Sequence, residues 1–353
     1  MTEHLLDVRD LRVSLNINAC KLPVLRSVSF YVDKGETLAI VGESGCGKSV
    51  TVQTIMRILS CPPMWIDGGE IIYSGKRLLQ MTDKEMEKYR GCELALISQE
   101  SMSSLDPTMQ IGKQVCEGII HHKGVSKDRA KAITLDLFSQ VRLPNPSEIY
   151  NRYPHTLSGG QRQRVMIAMA IICSPKVLFA DEPTTALDVT LQAHILEVLN
   201  NIKEAHETTI VVITHDLRVV ATTADRVAVM YSGEIIETGS TEQVLSTPAH
   251  PYTWGLLCSL PTIRKGKADE LYTLSGAPPM LGTAYSGCAF AERCDYAMSV
   301  CLKLSPPEYS YRGHSSCCWL HDPRASDVQP PNEIPKTELA SLAESVGGVI
   351  LPH

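Results

Sequence analysis

Short apolar runs, each bounded by polar residues, recur along this chain. Thr37-Leu38-Ala39-Ile40-Val41 is the first clear one and reads as a buried strand. Ser49 to Leu59 then carries apolar residues at helical spacing. Val177-Leu178-Phe179-Ala180 and the stretch Thr208 to Ile213 are two further buried-strand runs. Val165, Ile167, Ala168 and Ile172 predict a helix across Arg162 to Cys173. From 161 to 245 strands and helices alternate, as in an α/β parallel core. Upstream, residues 5–75 give short strands punctuated by Asp33-Lys34-Gly35, Asp67-Gly68-Gly69 and Tyr73-Ser74-Gly75, which predict turns in an antiparallel β layer. Residues 100–160 are helix-rich, linked through Pro144-Asn145-Pro146, and form a candidate helical subdomain. The pattern divides the chain into a domain over 1–247, a small Cys-rich module over 248–322 and a tail over 323–353, with one short helix expected at 337–345.

The chemistry sits where these elements meet. Gly42-Glu43-Ser44-Gly45-Cys46-Gly47-Lys48-Ser49 lies between the first strand and its helix, the context a phosphate-binding loop requires. Its glycines let backbone amides converge on phosphates, and the following helix adds its dipole. Lys48 then faces the β- and γ-phosphates of ATP, and the Ser49 hydroxyl ligates Mg²⁺. Asp181 and Glu182 stand at the carboxyl end of a strand, where parallel sheets bind ligands. Asp181 suits the Mg²⁺ shell, and Glu182 suits the proton of an attacking water. His215, after the third strand, reads as a sensor of phosphate and water rather than a core histidine. Ser158-Gly159-Gly160-Gln161 opens another helix and makes a second anion site. One nucleotide does not need two such sites in one chain, so this one is expected to complete a partner's pocket. A plain serine cap is the local alternative.

Charge narrows the partners. With 33 basic and 39 acidic residues the chain has no general basic surface, which argues against nucleic acid as main partner. The start of the chain lacks a basic segment followed by an apolar one, so no secretory signal is expected. No run approaches the roughly 18 apolar residues of a membrane span. The expected location is therefore cytoplasmic, with any membrane association made through partners.

Five of the twelve cysteines lie between 288 and 318. Cys288, Cys294 and Cys301, followed by Cys317-Cys318, put four thiolates within reach of one centre. The spacing lacks the tight pairs of structural zinc sites. Four thiolates hold either an iron–sulfur cluster or zinc, and plain buried thiols remain a third reading. Cys46 and Cys173 read as small apolar fillers.

These motifs together resemble the ABC ATPase family, and within it the ATP-binding subunits of oligopeptide and dipeptide importers. The resemblance covers about residues 5–320. Gln99 follows a strand-like run as the family's Q-loop does, which adds it to the Mg²⁺ ligands and the catalytic set; Ser103-Ser104-Leu105-Asp106-Pro107 and Ile111-Gly112 resemble the peptide-importer version. Tyr153-Pro154-His155 precedes Leu157-Ser158-Gly159-Gly160-Gln161, which resembles the family's signature, and Ala186-Leu187-Asp188 corresponds to the loop that couples two sites. His250-Pro251-Tyr252-Thr253 resembles the opening of the subfamily's C-terminal extension. Gly287-Cys288-Ala289-Phe290 and Arg293-Cys294 resemble its cysteine segment, where the family implies a [4Fe–4S] cluster; alignment on His314 favours Cys318 as fourth ligand, with Cys317 as substitute.

Two departures stand out. Residues 5–29 hold no aromatic side chain to stack adenine, leaving Ile17 or Leu22 as an apolar shelf. Ser98 and Glu100-Ser101 replace the residues that usually flank the Q-loop glutamine. The resemblance implies an ATPase, paired with a second and often different ATPase, that energises peptide import through two permeases fed by a solute-binding protein. Nickel, haem or another small solute as cargo, or a soluble ABC ATPase of DNA repair, translation or iron–sulfur assembly, are the alternatives.

Overall fold

The computed structural model describes residues 4–18, 20–99, 104–184, 189–259, 274–280, 283 and 285–331. In chain order the strands are β1 (Leu6–Ile17), β2 (Cys20–Val32), β3 (Thr37–Val41), β4 (Met64–Tyr73), β5 (Lys76–Arg77), β6 (Leu94–Ile97), β7 (Val177–Asp181), β8 (Thr209–Thr214), β9 (Arg226–Tyr231), β10 (Glu234–Ser240), β11 (Tyr309–Tyr311) and β12 (His314–Ser316). The α-helices are α1 (Lys48–Ile55), α2 (Asp83–Glu87), α3 (Ile111–Lys123), α4 (Lys127–Gln140), α5 (Pro146–Asn151), α6 (Gly159–Ile171), α7 (Val189–His206), α8 (Leu217–Thr223), α9 (Thr241–Ser246) and α10 (Pro251–Cys258). They fall into two compact units, one dominated by 76–213 and the other by 6–31, 38–75 and 214 onward.

In the first unit β6, β7 and β8 lie side by side and parallel, with Ile97 opposite Ala180 and Asp181 opposite Ile213. Every residue of β7 and β8 is buried, which is why both read as continuous apolar runs rather than alternating ones. Helices α3, α4, α5 and α6 pack on one another, and α6 also meets β6. Pro146 at the first position of α5 has no amide to leave unpaired, and Asn145 before it takes the left-handed conformation that starts the helix.

In the second unit the strand order is β4-β1-β2-β10-β9-β3. β3 runs parallel to β9, β9 antiparallel to β10, and β1 antiparallel to β4. Asp67-Gly68-Gly69 does not turn the chain as its composition predicts; it is an irregularity inside β4. Gly69 there has φ +101°, and a Cβ on it would meet the Asp10 carbonyl oxygen at 2.5 Å, so the close strand approach needs glycine.

The cysteine-rich segment shares strand pairing and apolar core with the rest of the second unit. β12 pairs with β10. Tyr252, Trp254, Leu257 and Phe290 share one apolar cluster with Ala39, Val41, Val227, Val229 and Tyr231. The physical reason is size: so short a segment cannot bury a core of its own and borrows one from the strands beside it. The coupling loop Ala186-Leu187-Asp188, the residues 100–103 and the helix expected at 337–345 lie outside the described residues.

Candidate functional site

The phosphate loop belongs to the second unit. β3 delivers it, and Gly47, with φ +109°, caps α1. A Cβ on Gly42 would meet the Met230 carbonyl oxygen at 2.2 Å, and one on Gly47 would meet Leu25 Cδ2 at 2.6 Å. The loop can therefore lie this close to β2 and β9 only with glycine at both places. Lys48 is 5% exposed, and its ammonium donates to the Gly42 and Glu43 carbonyl oxygens at 2.7 and 2.9 Å. Those carbonyls hold a charge that must otherwise be solvated. Cys46 is buried beside it; burial raises its thiol pKa despite the Lys48 charge, which fits a neutral filler. Ser44 and Gly45 are exposed, and Ser49 is half-buried on the first turn of α1. Glu43 to Cys46 border a cleft of about 150 Å³ that Pro278, Pro279 and Met280 also line. Neither Ile17, exposed at the end of β1, nor Leu22 lines it.

The acidic residues belong to the first unit. Asp181, 7% exposed, ends β7. Glu182 follows with φ +47°, a costly conformation for a non-glycine residue, and its amide donates to the Ile213 carbonyl at 2.9 Å. This turn sends the carboxylate to Gln99, whose Nε2 donates to Glu182 Oε2 at 3.1 Å. Gln99 follows β6, so the parallel register of β6 and β7 brings the two side chains together. Ser98, at a departing position, shares a 2.8 Å hydrogen bond with Ser104.

Ser158 caps α6. Its hydroxyl accepts from the Gln161 amide at 3.3 Å, while Gln161 Oε1 accepts from the Ser158 amide at 3.1 Å. That reciprocal capping box fixes the direction of the first turn, where Gly159 and Gly160 lie. A Cβ on Gly160 would meet Leu191 at 2.3 Å, whereas Gly159 faces open space. Gln163, one turn on, donates to the Pro183 carbonyl at 2.9 Å and so ties α6 to the segment after Glu182. His215 follows β8, exposed, immediately before the Asp216 cap of α8.

All described cysteines are free thiols. Burial pushes Cys288 up to about 11 and Cys294 and Cys318 up to about 12; Cys288, Cys294 and Cys301 lie near enough to Cys318 to raise it further. Backbone amides aim at these sulfurs: Phe290 and Ala291 at Cys288, Tyr296 at Cys294, Leu320 at Cys318, and Met298 at Cys301 at 3.4 Å. Cys317 instead points its sulfur at the Ile235 carbonyl, 3.8 Å away. Among the described residues no group of three or more His, Cys, Asp or Glu side chains is arranged to hold a metal ion. Neither zinc nor a cluster is thereby shown.

Sequence reasoning missed one group altogether. Arg293 forms a bidentate pair with Glu43, at 2.7 and 2.9 Å, across 250 residues of chain. The only hint was an arginine beside a cysteine.

The profile of the ABC transporter family matches residues 25–185, and that of the oligopeptide/dipeptide transporter C-terminal region matches residues 236–301. The oligopeptide transport ATP-binding protein OppD of Bacillus subtilis is 47% identical over 342 residues, covering 97% of this chain and 95% of that protein. The dipeptide transport ATP-binding protein DppD of Lactococcus lactis is 46% identical over 334 residues, covering 94% and 95%. Among solved structures, a dimeric ATP-binding cassette in a post-hydrolysis state with ADP and Pi superposes with TM-score 0.61 at 25% identity, over 67% of this chain and 98% of that one. The chain belongs to the ABC transporter family, among the ATP-binding proteins of oligopeptide and dipeptide transport.

Proposed function

We propose that this chain is the ATP-hydrolysing subunit that energises import of di- and oligopeptides through membrane-embedded permeases. What carries the reading is a phosphate loop and a Gln99–Asp181–Glu182 group in one chain, whose similarity to peptide-transport ATP-binding proteins runs through the extension as well as the cassette. Among the described residues no helix is long and apolar enough to cross a membrane, which agrees with a peripheral subunit at the cytoplasmic face.

The roles follow from the chemistry of each residue. The loop amides and Lys48 bind the β- and γ-phosphates; Lys48 exchanges the Gly42 and Glu43 carbonyls for phosphate oxygens. Ser49, Asp181 and Gln99 would hold Mg²⁺, which would neutralise charge on the phosphates. Glu182 takes the proton of a water whose oxygen bonds to the γ-phosphorus while the bond to the β–γ bridging oxygen breaks, releasing ADP and phosphate. Gln99 keeps that carboxylate aimed, and His215 positions phosphate and water. Ser158 to Gln161 present the start of α6 to the ATP of a second ATPase subunit, in a pairing expected to be heterodimeric. The helices around α3 carry the closure to the permeases, which a solute-binding protein supplies.

A [4Fe–4S] cluster belongs to this reading by donor type alone: thiols are the ligands such clusters take, and backbone amides approach these sulfurs, while among the described residues no group is arranged to hold a metal ion. Cys288, Cys294, Cys301 and Cys318 are the proposed ligands; Cys317 faces a carbonyl instead. Nothing in the ATPase mechanism requires an electron, so a cluster here is structural or sensory.

The test is Glu182→Gln in the transporter assembled with its permeases. ATP binding and a trapped closed ATPase pair are expected, with turnover lowered about 10²–10⁴-fold, the usual worth of a general base. Full hydrolysis by that variant would sink the assignment.

A further inference from the structure

We infer that Arg293, together with Tyr252, is a positioning residue for the phosphate loop, through which the C-terminal extension sets the affinity for ATP. The inference rests on the ATP-binding reading and adds residues outside the nucleotide motifs.

Glu43, the second residue of the loop, is held at three points. Arg293 Nη1 and Nη2 donate to its two carboxylate oxygens at 2.7 and 2.9 Å. The Tyr252 hydroxyl oxygen accepts from its amide at 2.8 Å. Its carbonyl accepts from Lys48 at 2.9 Å. Two of the three holds come from the extension, Tyr252 on α10 and Arg293 in the turn before Cys294.

The arm that carries Arg293 is itself fixed. Its side chain is 6% exposed, its Nε donates to the Ser275 carbonyl at 3.0 Å, and its Nη1 also reaches the Tyr231 hydroxyl at 3.2 Å. Phe290 and Tyr231 rings flank the guanidinium, with centroids at 5.7 and 5.8 Å. Tyr231, Tyr252 and Phe290 form a contiguous aromatic triangle beneath it. A forked pair of this kind fixes orientation as well as distance, which a lysine cannot do.

A phosphate loop binds through the directions of its amides, so whatever fixes its backbone fixes its affinity. Lys48 must leave the Gly42 and Glu43 carbonyls when phosphate arrives, and one of the three holds on Glu43 is lost at that moment. Arg293 and Tyr252 keep the loop in place through the exchange, so no ordering cost falls due on binding. Without them that cost is subtracted from the affinity.

The experiment is equilibrium binding of a non-hydrolysable ATP analogue with Mg²⁺ to the full-length chain, with thermal unfolding of each variant in parallel. Arg293→Ala is expected to raise the Kd about tenfold, a change of about 1.4 kcal/mol. Arg293→Lys is expected to recover part of that loss. Glu43→Ala should match Arg293→Ala, and the double variant should be no weaker than either, because both remove one interaction. Tyr252→Phe deletes one hydroxyl and keeps the ring, so it serves if Arg293→Ala does not fold; a Kd raised about threefold is expected. A lowered Tm with unchanged Kd in Arg293→Ala or Tyr252→Phe, or multiplicative effects at 43 and 293, would overturn the inference. Lys48→Ala separates the two claims: if it binds as well as the unaltered chain, or the unaltered chain does not bind, the ATP reading falls and the inference with it.

Discussion

Replacing Glu237 by alanine should nearly unhinge the second unit, and the structure allows the cost to be worked out. Glu237 lies on β10 with its side chain fully buried. Its carboxylate accepts from the Ala249 amide at 2.7 Å, the His250 amide at 2.9 Å, the Thr253 hydroxyl at 2.6 Å and His314 Nε2 at 3.1 Å. One side chain thus ties the start of α10 and strand β12 to β10. Alanine leaves four buried polar groups without their acceptor, each worth about 1–3 kcal/mol. Water entering the space relieves part of this, so the net loss should be about 3–5 kcal/mol, well below the sum over the four groups. That is a large share of a stability of about 5–15 kcal/mol. Glu237→Gln retains one acceptor oxygen but turns an amide toward donors, and should fall between. The assay is urea unfolding followed by tryptophan fluorescence. Trp65, Trp254 and Trp319 are the chain's three tryptophans and all belong to this unit, so the signal reports it alone. A loss below about 1 kcal/mol for the alanine variant, or equal losses for the two variants, would refute the reasoning.

Acid should weaken the same region through His250. Burial, with His321 adding, pushes its pKa down to about 3, whereas the unfolded imidazole protonates near 6.5. The unfolded state therefore binds the extra proton between those values, and stability falls with pH across that window by up to about 1.4 kcal/mol per unit. Asparagine at 250 keeps a cap for α10 and should flatten the slope; an unchanged slope between pH 6 and 4 would exclude His250 as its source. Chain purified without oxygen should carry about four irons with matching sulfide, and Cys294→Ser should lose both. Iron-free chain of undiminished stability would leave the buried-thiol reading.

The strands at 37–41, 177–181 and 209–214, and the helix starts after the two glycine motifs, were legible because each is specified by neighbouring residues. A buried parallel strand is a continuous apolar run, and a phosphate loop needs its glycines, lysine and serine in one stretch. Composition misled at Asp67-Gly68-Gly69, since glycines that permit a turn equally permit the close approach of two strands. Near Pro248, where a proline and a motif mark a change along the chain, one apolar cluster takes residues from both sides.

Sequence alone thus determined the local elements that carry the motifs, namely the glycine loop before α1, the strand that ends at Asp181 and the Ser158-capped helix, and with them the family. Tertiary structure decided every pairing between distant positions. Strand register brought Gln99 to Glu182, and the shared core brought Arg293 to Glu43 and His314 to Glu237. It placed Cys318 near Cys288, Cys294 and Cys301, and Cys317 near Cys288 with its sulfur toward a carbonyl. The reason is geometric. A motif constrains atoms a few bonds apart, while the distance between residues 43 and 293 depends on strand order and packing, which no contiguous stretch encodes.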